Sequence, residues 1–113
     1  MVAVISVPPV VTEGDWSIRL IRGKLDKQAL VINFDNRAET WTVTQARMIP
    51  NKTKLPKAER SQLISGRWQP LNSQGFGGFS LAWDFAKEAV ELLKDEGYKV
   101  SVVDNTAFLP VWR

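Results

Sequence analysis

An amphipathic segment near the end of the chain, residues 80–97, places the first constraint on the fold. Its polar residues recur at helical spacings and form one narrow stripe: Ser80, Asp84, Lys87, Glu91, Lys94 and Asp95. Most other positions are apolar, so a helix over 81–96 would be apolar around more than half its circumference. One sheet face does not require so much apolar surface. We therefore expect this helix to pack between the sheet and the chain ends, or to cover a subunit contact.

The ends and the aromatic residues of this helix can also be predicted. Ser80 is the expected N-cap, and Gly97 is the expected left-handed residue after the last turn. A glycine stop of this kind would pack Tyr98 onto the last turn. Trp83 and Phe85 lie about 200° apart on a helix. We expect one ring to face the sheet and the other to meet the chain ends or a second subunit.

Alternating apolar residues predict strands before and after the helix. Residues 16–22 and 29–34 should form a hairpin, and 39–49 should add a long third strand with threonine at alternate positions. Residues 99–104 should form a last strand. The valine-rich segments 2–7 and 10–12 resemble an edge strand ended by Pro8-Pro9.

With 113 residues, the chain is expected to form a single domain over 1–113. The predicted fold class is α+β: an antiparallel meander of four to six strands with one long C-terminal helix packed on it. A basic loop should occupy about 50–66, and residues 55–63 within it could form a short helix that begins near Pro56.

Basic residues are concentrated between strand three and the helix. Six of the fifteen basic residues lie between positions 47 and 67, and Glu59 is the single acid among them, which leaves a local charge near +5. Such a stretch attracts polyanions, although a solvated surface loop would look the same. The nucleic-acid-binding candidates of this segment are Arg47, Lys52, Lys54, Lys57, Arg60 and Arg67.

Two tryptophans flank this basic segment in sequence. Proteins that bind single strands place aromatic rings beside cations, because bases stack on the rings. Trp41 and Trp68 are therefore added to the candidate site. The alternative is that both rings belong to the core, as most tryptophans of a small domain do.

The residue types present argue against an enzyme. The chain has no cysteine and no histidine, which removes thiol nucleophiles, the usual zinc ligands and the usual neutral-pH base. Asp84, Glu88 and Glu91 alternate with lysines as in a solvated helix face. The glycines at 75, 77 and 78 lack the Lys-Ser/Thr of a phosphate loop. We predict no catalytic residue, cofactor or metal.

The N-terminal segment lacks the basic residues of a signal peptide, and no apolar run approaches the length of a membrane span. The expected setting is the cytoplasm of a cell, or of a cell infected by a virus, without membrane association.

Residues 66–100 carry a partial resemblance to a known family. Gly66-Arg67-Trp68-Gln69-Pro70, then Gly78-Phe79-Ser80-Leu81, the helix, and Gly97-Tyr98-Lys99-Val100 resemble the HARP-like modules of annealing helicases. The second strand of that family contains a further tryptophan, which is absent here. The resemblance implies DNA binding near Arg67 and Trp68.

The favoured function is therefore non-enzymatic binding of single-stranded DNA or RNA with low sequence selectivity. The alternative is a structural or adaptor subunit of a virion or complex. Such a subunit would bind a protein partner or a second copy through the helix at 81–96 or the apolar tail at 107–113. A small enzyme is the third and least favoured hypothesis.

Overall fold

The computed structural model describes residues 12–50, 54–61, 63 and 67–106. In chain order its elements are β1 (Trp16–Arg22), β2 (Asp26–Asp35), β3 (Thr40–Met48), α1 (Lys57–Arg60), β4 (Trp68–Phe76), α2 (Phe79–Asp95) and β5 (Lys99–Asp104). The predicted α+β class is confirmed, because the five strands form an antiparallel sheet with α2 packed against it.

The strand order of the sheet is β4-β3-β2-β1-β5. The first four strands follow one another as a meander, and β5 then pairs with β1. The β1–β2 turn consists of Gly23, Lys24 and Leu25, and Gly23 adopts a φ of 69° that favours glycine. β2 begins three residues before the predicted start, because the pairing of Asp26 with Arg22 extends the hairpin to this turn.

The main core lies between the sheet and α2. Strand register aligns the alternate apolar residues of β1, β2 and β3 on one face, where each fully buried Ile or Leu contributes about 1.5–3 kcal/mol. The buried core residues are Trp16, Ile18, Leu20, Leu30, Ile32, Val43, Ala82, Trp83, Ala86, Val90, Leu93 and Tyr98.

The C-terminal end of α2 follows the prediction. Gly97 has a φ of 99°, its N–H donates to the Lys94 carbonyl at 2.9 Å, and the Tyr98 N–H donates to the Leu93 carbonyl at 3.0 Å. These two bonds form a Schellman motif. Leu93 and Tyr98 share the main core, as that motif requires.

The N-terminal end of α2 differs from the prediction. The N-cap is Gly78 rather than Ser80, no side chain caps the helix, and the first turn begins at Phe79. The Phe79 ring packs on Trp41 at 5.1 Å and on Trp83 at 6.1 Å between centroids. This aromatic packing favours an earlier helix start than side-chain capping alone would give.

The expectation for Trp83 and Phe85 was wrong for the second ring. Trp83 contacts Trp16 of β1 at 5.3 Å between centroids, and Phe85 contacts Phe76 of β4 at 5.1 Å. The two rings flank the helix on opposite sides, and the sheet is wide enough to receive both. Phe85 remains only half-buried, because it lies at the edge of the sheet.

The face of the sheet opposite α2 carries a smaller cluster. Ala29, Val31, Ala46 and Trp68 are buried there, with Met48 packed against them. Ser17, Asn33 and Thr44 are buried polar residues on the same face, since they alternate with the core residues of β1, β2 and β3.

Three predicted features lie outside the described residues: the edge strand at 2–7 and 10–11, the apolar tail at 107–113, and Lys52. Within the predicted basic loop the structure describes 54–61 and 63, where α1 forms a single turn inside the predicted range of 55–63.

Candidate nucleic-acid interface

A groove lined by basic residues lies on the sheet face opposite α2. Its larger part has a volume of about 530 Å³ and contains Lys24, Lys27 and Arg67 beside Leu25, Met48, Ile49 and Pro50. A second depression of about 230 Å³ shares Lys27 and Met48 with the first, and adds Arg19, Trp68 and Ser101. We call this pair of depressions the basic groove. No carboxylate lines it within the described part of the chain.

Separate elements bring the four cations of the groove together. Arg19 alternates with Ile18 and Leu20 on β1, so it faces away from the main core. Lys24 belongs to the glycine turn, and Lys27 follows it on β2. Arg67 immediately precedes β4, and one of its terminal nitrogens donates to the Pro50 carbonyl at 2.6 Å, which orients the guanidinium. Arg19 also lies 4.0 Å from the Asp104 carboxylate.

Trp68 forms part of the groove wall, but most of its ring is covered. The side chain packs with Ala29, Val31 and Ala46, and the residue is only 6% exposed. The indole therefore anchors β4 to the sheet and forms part of the groove wall. A base could stack on the face of the indole only if the side chains that cover it moved away.

The structure brings Arg67 and Trp68 of the predicted site together in the groove and places the other candidates elsewhere. Trp41 and Arg47 lie on the α2 side of the sheet, in register with Phe34 and Gln28. Trp41 is half-buried between Phe34 and Phe79. Trp41 and Trp68 therefore face opposite sides and cannot form one stacking platform. Three further candidates are exposed on or near α1: Lys54, Lys57 and Arg60.

Three cations of the groove were absent from the predicted site. Arg19, Lys24 and Lys27 come from residues 1–40, which contain five basic and five acidic residues. The available signal was positional: Arg19 alternates with core residues, Lys24 lies in the hairpin turn and Lys27 follows that turn on β2, so the fold moves these charges away from the nearby acids.

The α2 side of the sheet carries a chain of hydrogen bonds instead of a basic groove. The Tyr98 hydroxyl donates to Asp26 at 2.7 Å, and the Gln28 amide donates to the Tyr98 oxygen at 3.1 Å. Gln45 donates to Gln28 at 2.6 Å, and Asn72 donates to Gln45 at 3.3 Å. This chain crosses from β2 to β4.

Arg22 closes the β1 end of this network. Its guanidinium binds the Asp26 carboxylate at 2.7 Å, donates to the Glu96 carbonyl at 2.8 Å and lies 4.4 Å from the centre of the Tyr98 ring. Burial raises the pKa of Asp26, but the hydrogen bonds from Tyr98 and Arg22 and the Arg22 charge outweigh it, so this pKa lies below its usual value. Burial and the bond to Asp26 raise the pKa of Tyr98.

The outer surface of α2 has the opposite charge from the basic groove. A cavity of about 770 Å³ beside the helix is lined by four acids, one lysine and two apolar residues: Asp84, Glu88, Glu91, Asp95, Lys87, Val90 and Leu92. Lys87 lies 3.6 Å from Asp84. A polyanion would be repelled from this surface and attracted to the other face of the sheet.

Among the described residues, no group of three or more acidic side chains could hold a metal ion. The described helices likewise include none with the length and apolar character needed to span a membrane.

Comparison with known proteins found no match among protein-family models, curated proteins or solved structures.

Proposed function

We propose that this protein binds single-stranded DNA or RNA through the basic groove, with low sequence selectivity. The observation that carries the proposal is the clustering of Arg19, Lys24, Lys27 and Arg67 on a groove wall without a described carboxylate. Lysine and arginine side chains in such a groove neutralise phosphates and release counterions without reading bases.

The apolar part of the groove favours a single strand over a duplex. Leu25 is 60% exposed, and Met48 and Ile49 lie beside the cations. Unpaired bases can cover such side chains, whereas a duplex hides its base faces and presents mainly phosphates. The exposed cations Lys54, Lys57 and Arg60 would extend the phosphate contacts along the loop that follows Pro50.

Charge reversal on the two faces tests this function. We expect Lys24→Glu combined with Lys27→Glu to weaken binding of a labelled single strand at least about tenfold at low salt, because phosphate contacts are replaced by repulsion. The matched control is Lys87→Glu with Lys94→Glu on α2, which changes the net charge equally. Fluorescence anisotropy should show less than about a twofold change for the control.

Two outcomes would contradict the proposal. Equal losses in the two double variants would mean that net charge alone governs binding. Absence of binding by the unaltered protein at low salt would remove nucleic acid as the ligand.

A structural or adaptor function is the second candidate. Leu81 and Leu92 are 59% and 65% exposed on α2, as a contact surface for another protein would be. The variant Leu81→Ser with Leu92→Ser separates the two functions. An adaptor would lose assembly with its partner, whereas binding of a single strand at the basic groove would not change.

A further inference from the structure

Three polar side chains are buried on the sheet face opposite α2, although no described element covers them. Ser17, Asn33 and Thr44 lie on β1, β2 and β3, and none of them is more than 4% exposed. α2 packs on the other face, and among the described elements α1 packs on no strand. Short side chains that stand on a sheet become buried only beneath another layer. They are buried in the isolated chain, so this layer belongs to the chain itself.

The covered area ends before β4. The hydroxyl groups of Thr44 and Ser73 are 3.1 Å apart, yet Ser73 is exposed. Gly75, two residues further along the same face of β4, is exposed as well. The layer therefore extends from β1 to β3, a width of about 10 Å.

Asn33 requires a hydrogen-bond acceptor from this layer. The Ser17 hydroxyl donates to the Thr106 carbonyl at 3.2 Å, and Thr44 is bonded to Ser73. The Nδ2 atom of Asn33 is buried too, but it has no acceptor among the described residues. Because a buried donor without an acceptor is costly, such groups are almost always paired. A backbone carbonyl of a covering polypeptide segment would supply the acceptor.

The hydrogen bond of Ser17 indicates which segment this is. It places Thr106, near the end of the described residues, on the face opposite α2 and at the β1 side of the covered area. The next seven residues, 107–113, reach up to about 23 Å when extended, which exceeds the width to be crossed. Residues 107–113 therefore start in the right place and are long enough.

The other segments outside the described residues start elsewhere. Residues 1–11 precede Thr12, whose carbonyl accepts a hydrogen bond at 2.8 Å from the indole of Trp16, a residue of the main core on the α2 side. The internal stretches 51–53, 62 and 64–66 fall between Pro50 and Arg67 in sequence, and both of these residues border the basic groove. Neither location adjoins Ser17 on the covered face.

We propose that residues 107–113 dock on their own chain as a strap across β1, β2 and β3, on the face opposite α2. Strand register places Ser17, Val31 and Thr44 in one row across these strands, and the strap would follow this row. The row consists of short side chains, which leave room for the large apolar side chains of the strap. These are Phe108, Leu109, Val111 and Trp112. Trp68 packs in the same way on the alanines of the neighbouring cluster.

The strap and the basic groove occupy different ends of this face. On β2, Asn33 is six residues from Lys27 of the groove, which corresponds to about 20 Å along a strand. Docking of the strap therefore does not require a ligand in the groove. Loss of nucleic-acid binding and loss of the strap would be separate results.

Single introduced thiols test the strap, because the chain contains no cysteine. In Asn33→Cys and in Thr44→Cys, removal of residues 107–113 should raise the rate of modification by a soluble thiol reagent at least about tenfold, since a covered thiol is protected. The control Ser73→Cys, which is exposed on β4, should react rapidly with and without the strap. Val43→Cys, buried beneath α2, should stay protected in both chains and so report that the truncated chain is folded.

Unchanged rates for Asn33→Cys and Thr44→Cys after this removal would overturn the proposal. A rise in these rates caused by removal of residues 1–11 and not of 107–113 would also overturn it, because the cover would then be the N-terminal segment.

A reactive Val43→Cys thiol would mean that the truncation unfolds the chain, and nuclear magnetic resonance of the unaltered chain then decides. Nuclear Overhauser contacts from the ring protons of Phe108 or Trp112 to the methyl groups of Val31 are expected. Their absence, or contacts of these rings with α2 alone, would contradict the strap.

Discussion

The two faces of the sheet are built from different residues and leave different surfaces to solvent. The α2 side is filled by large apolar and aromatic side chains, and the outer surface of the helix that covers it is acidic. The opposite side is packed with small residues around Trp68 and is bordered by four cations. The main core and the cluster of cations therefore lie on opposite faces of the same strands.

Strand alternation produces this separation. On β1, Ile18 and Leu20 enter the main core while Arg19 between them reaches the basic groove. A one-residue change of register would exchange the two sets and place a cation in the core. The hydrophobic core therefore fixes where the cations lie.

A substitution on the α2 side should cause the greatest loss of stability. Trp83→Ala removes a buried ring that contacts Trp16 and Phe79, and we expect it to lower the free energy of unfolding by about 3–5 kcal/mol. Urea denaturation followed by circular dichroism measures this loss. A cost below about 1 kcal/mol would mean that the α2 side is not the main stabilising face.

The second prediction concerns Trp68, the tryptophan on the opposite face of the sheet. Trp68→Ala should cost about 3 kcal/mol, less than Trp83→Ala, because its neighbours are mostly alanine and valine and the cluster is smaller. The milder variant Trp68→Leu should keep the fold and bind a single strand within about twofold of the unaltered protein. A loss of more than about tenfold would show instead that a base stacks on the indole.

A smaller effect is expected at the hydrogen-bonded end of the α2 side. Asp26→Asn removes the carboxylate that accepts hydrogen bonds from Tyr98 and Arg22. We expect it to lower the free energy of unfolding by about 1 kcal/mol at neutral pH, since the ion pair is partly exposed. The pKa of Asp26 is lowered by folding, so its contribution is present above the unfolded value near 3.8 and is lost as the pH falls through the lower folded pKa.

The measurement for this prediction is a pair of urea unfolding series, one for each protein, from neutral pH to the acid range. The two stability curves should converge as Asp26 becomes protonated. A constant difference at all pH values would indicate that the carboxylate charge contributes nothing, and that only the shape of the side chain matters.

Much of this fold could be predicted from local sequence. The sequence predicted β1, β2 and β3 from their alternation and the end of α2 from Gly97. These predictions succeeded because core packing and local capping favour the same elements. β4 could not be predicted as a nine-residue strand. Its polar and glycine-rich sequence has low strand propensity, and its structure depends on pairing with β3.

The candidate site was less predictable than the fold. A local count of charge identified Arg67 but overlooked Lys24 and Lys27, since nearby acids balance them in sequence and only the fold separates the two signs. The same count grouped Arg47 with Arg67, although strand register places Arg47 on the α2 side. Closeness in sequence does not by itself tell whether cations on different strands share a face of the sheet, because strand register and alternation decide that.

The proposed binding requires that the cations of the basic groove contact phosphates, and the dependence of binding on salt concentration measures the number of these contacts. Each phosphate contact contributes about −0.7 to the slope of log Kobs for a single strand against log salt concentration. In Lys24→Gln with Lys27→Gln, which removes two contacts, the slope should decrease in magnitude by about 1.4. An unchanged slope in this variant would contradict the account, because the phosphate contacts would then lie elsewhere on the molecule.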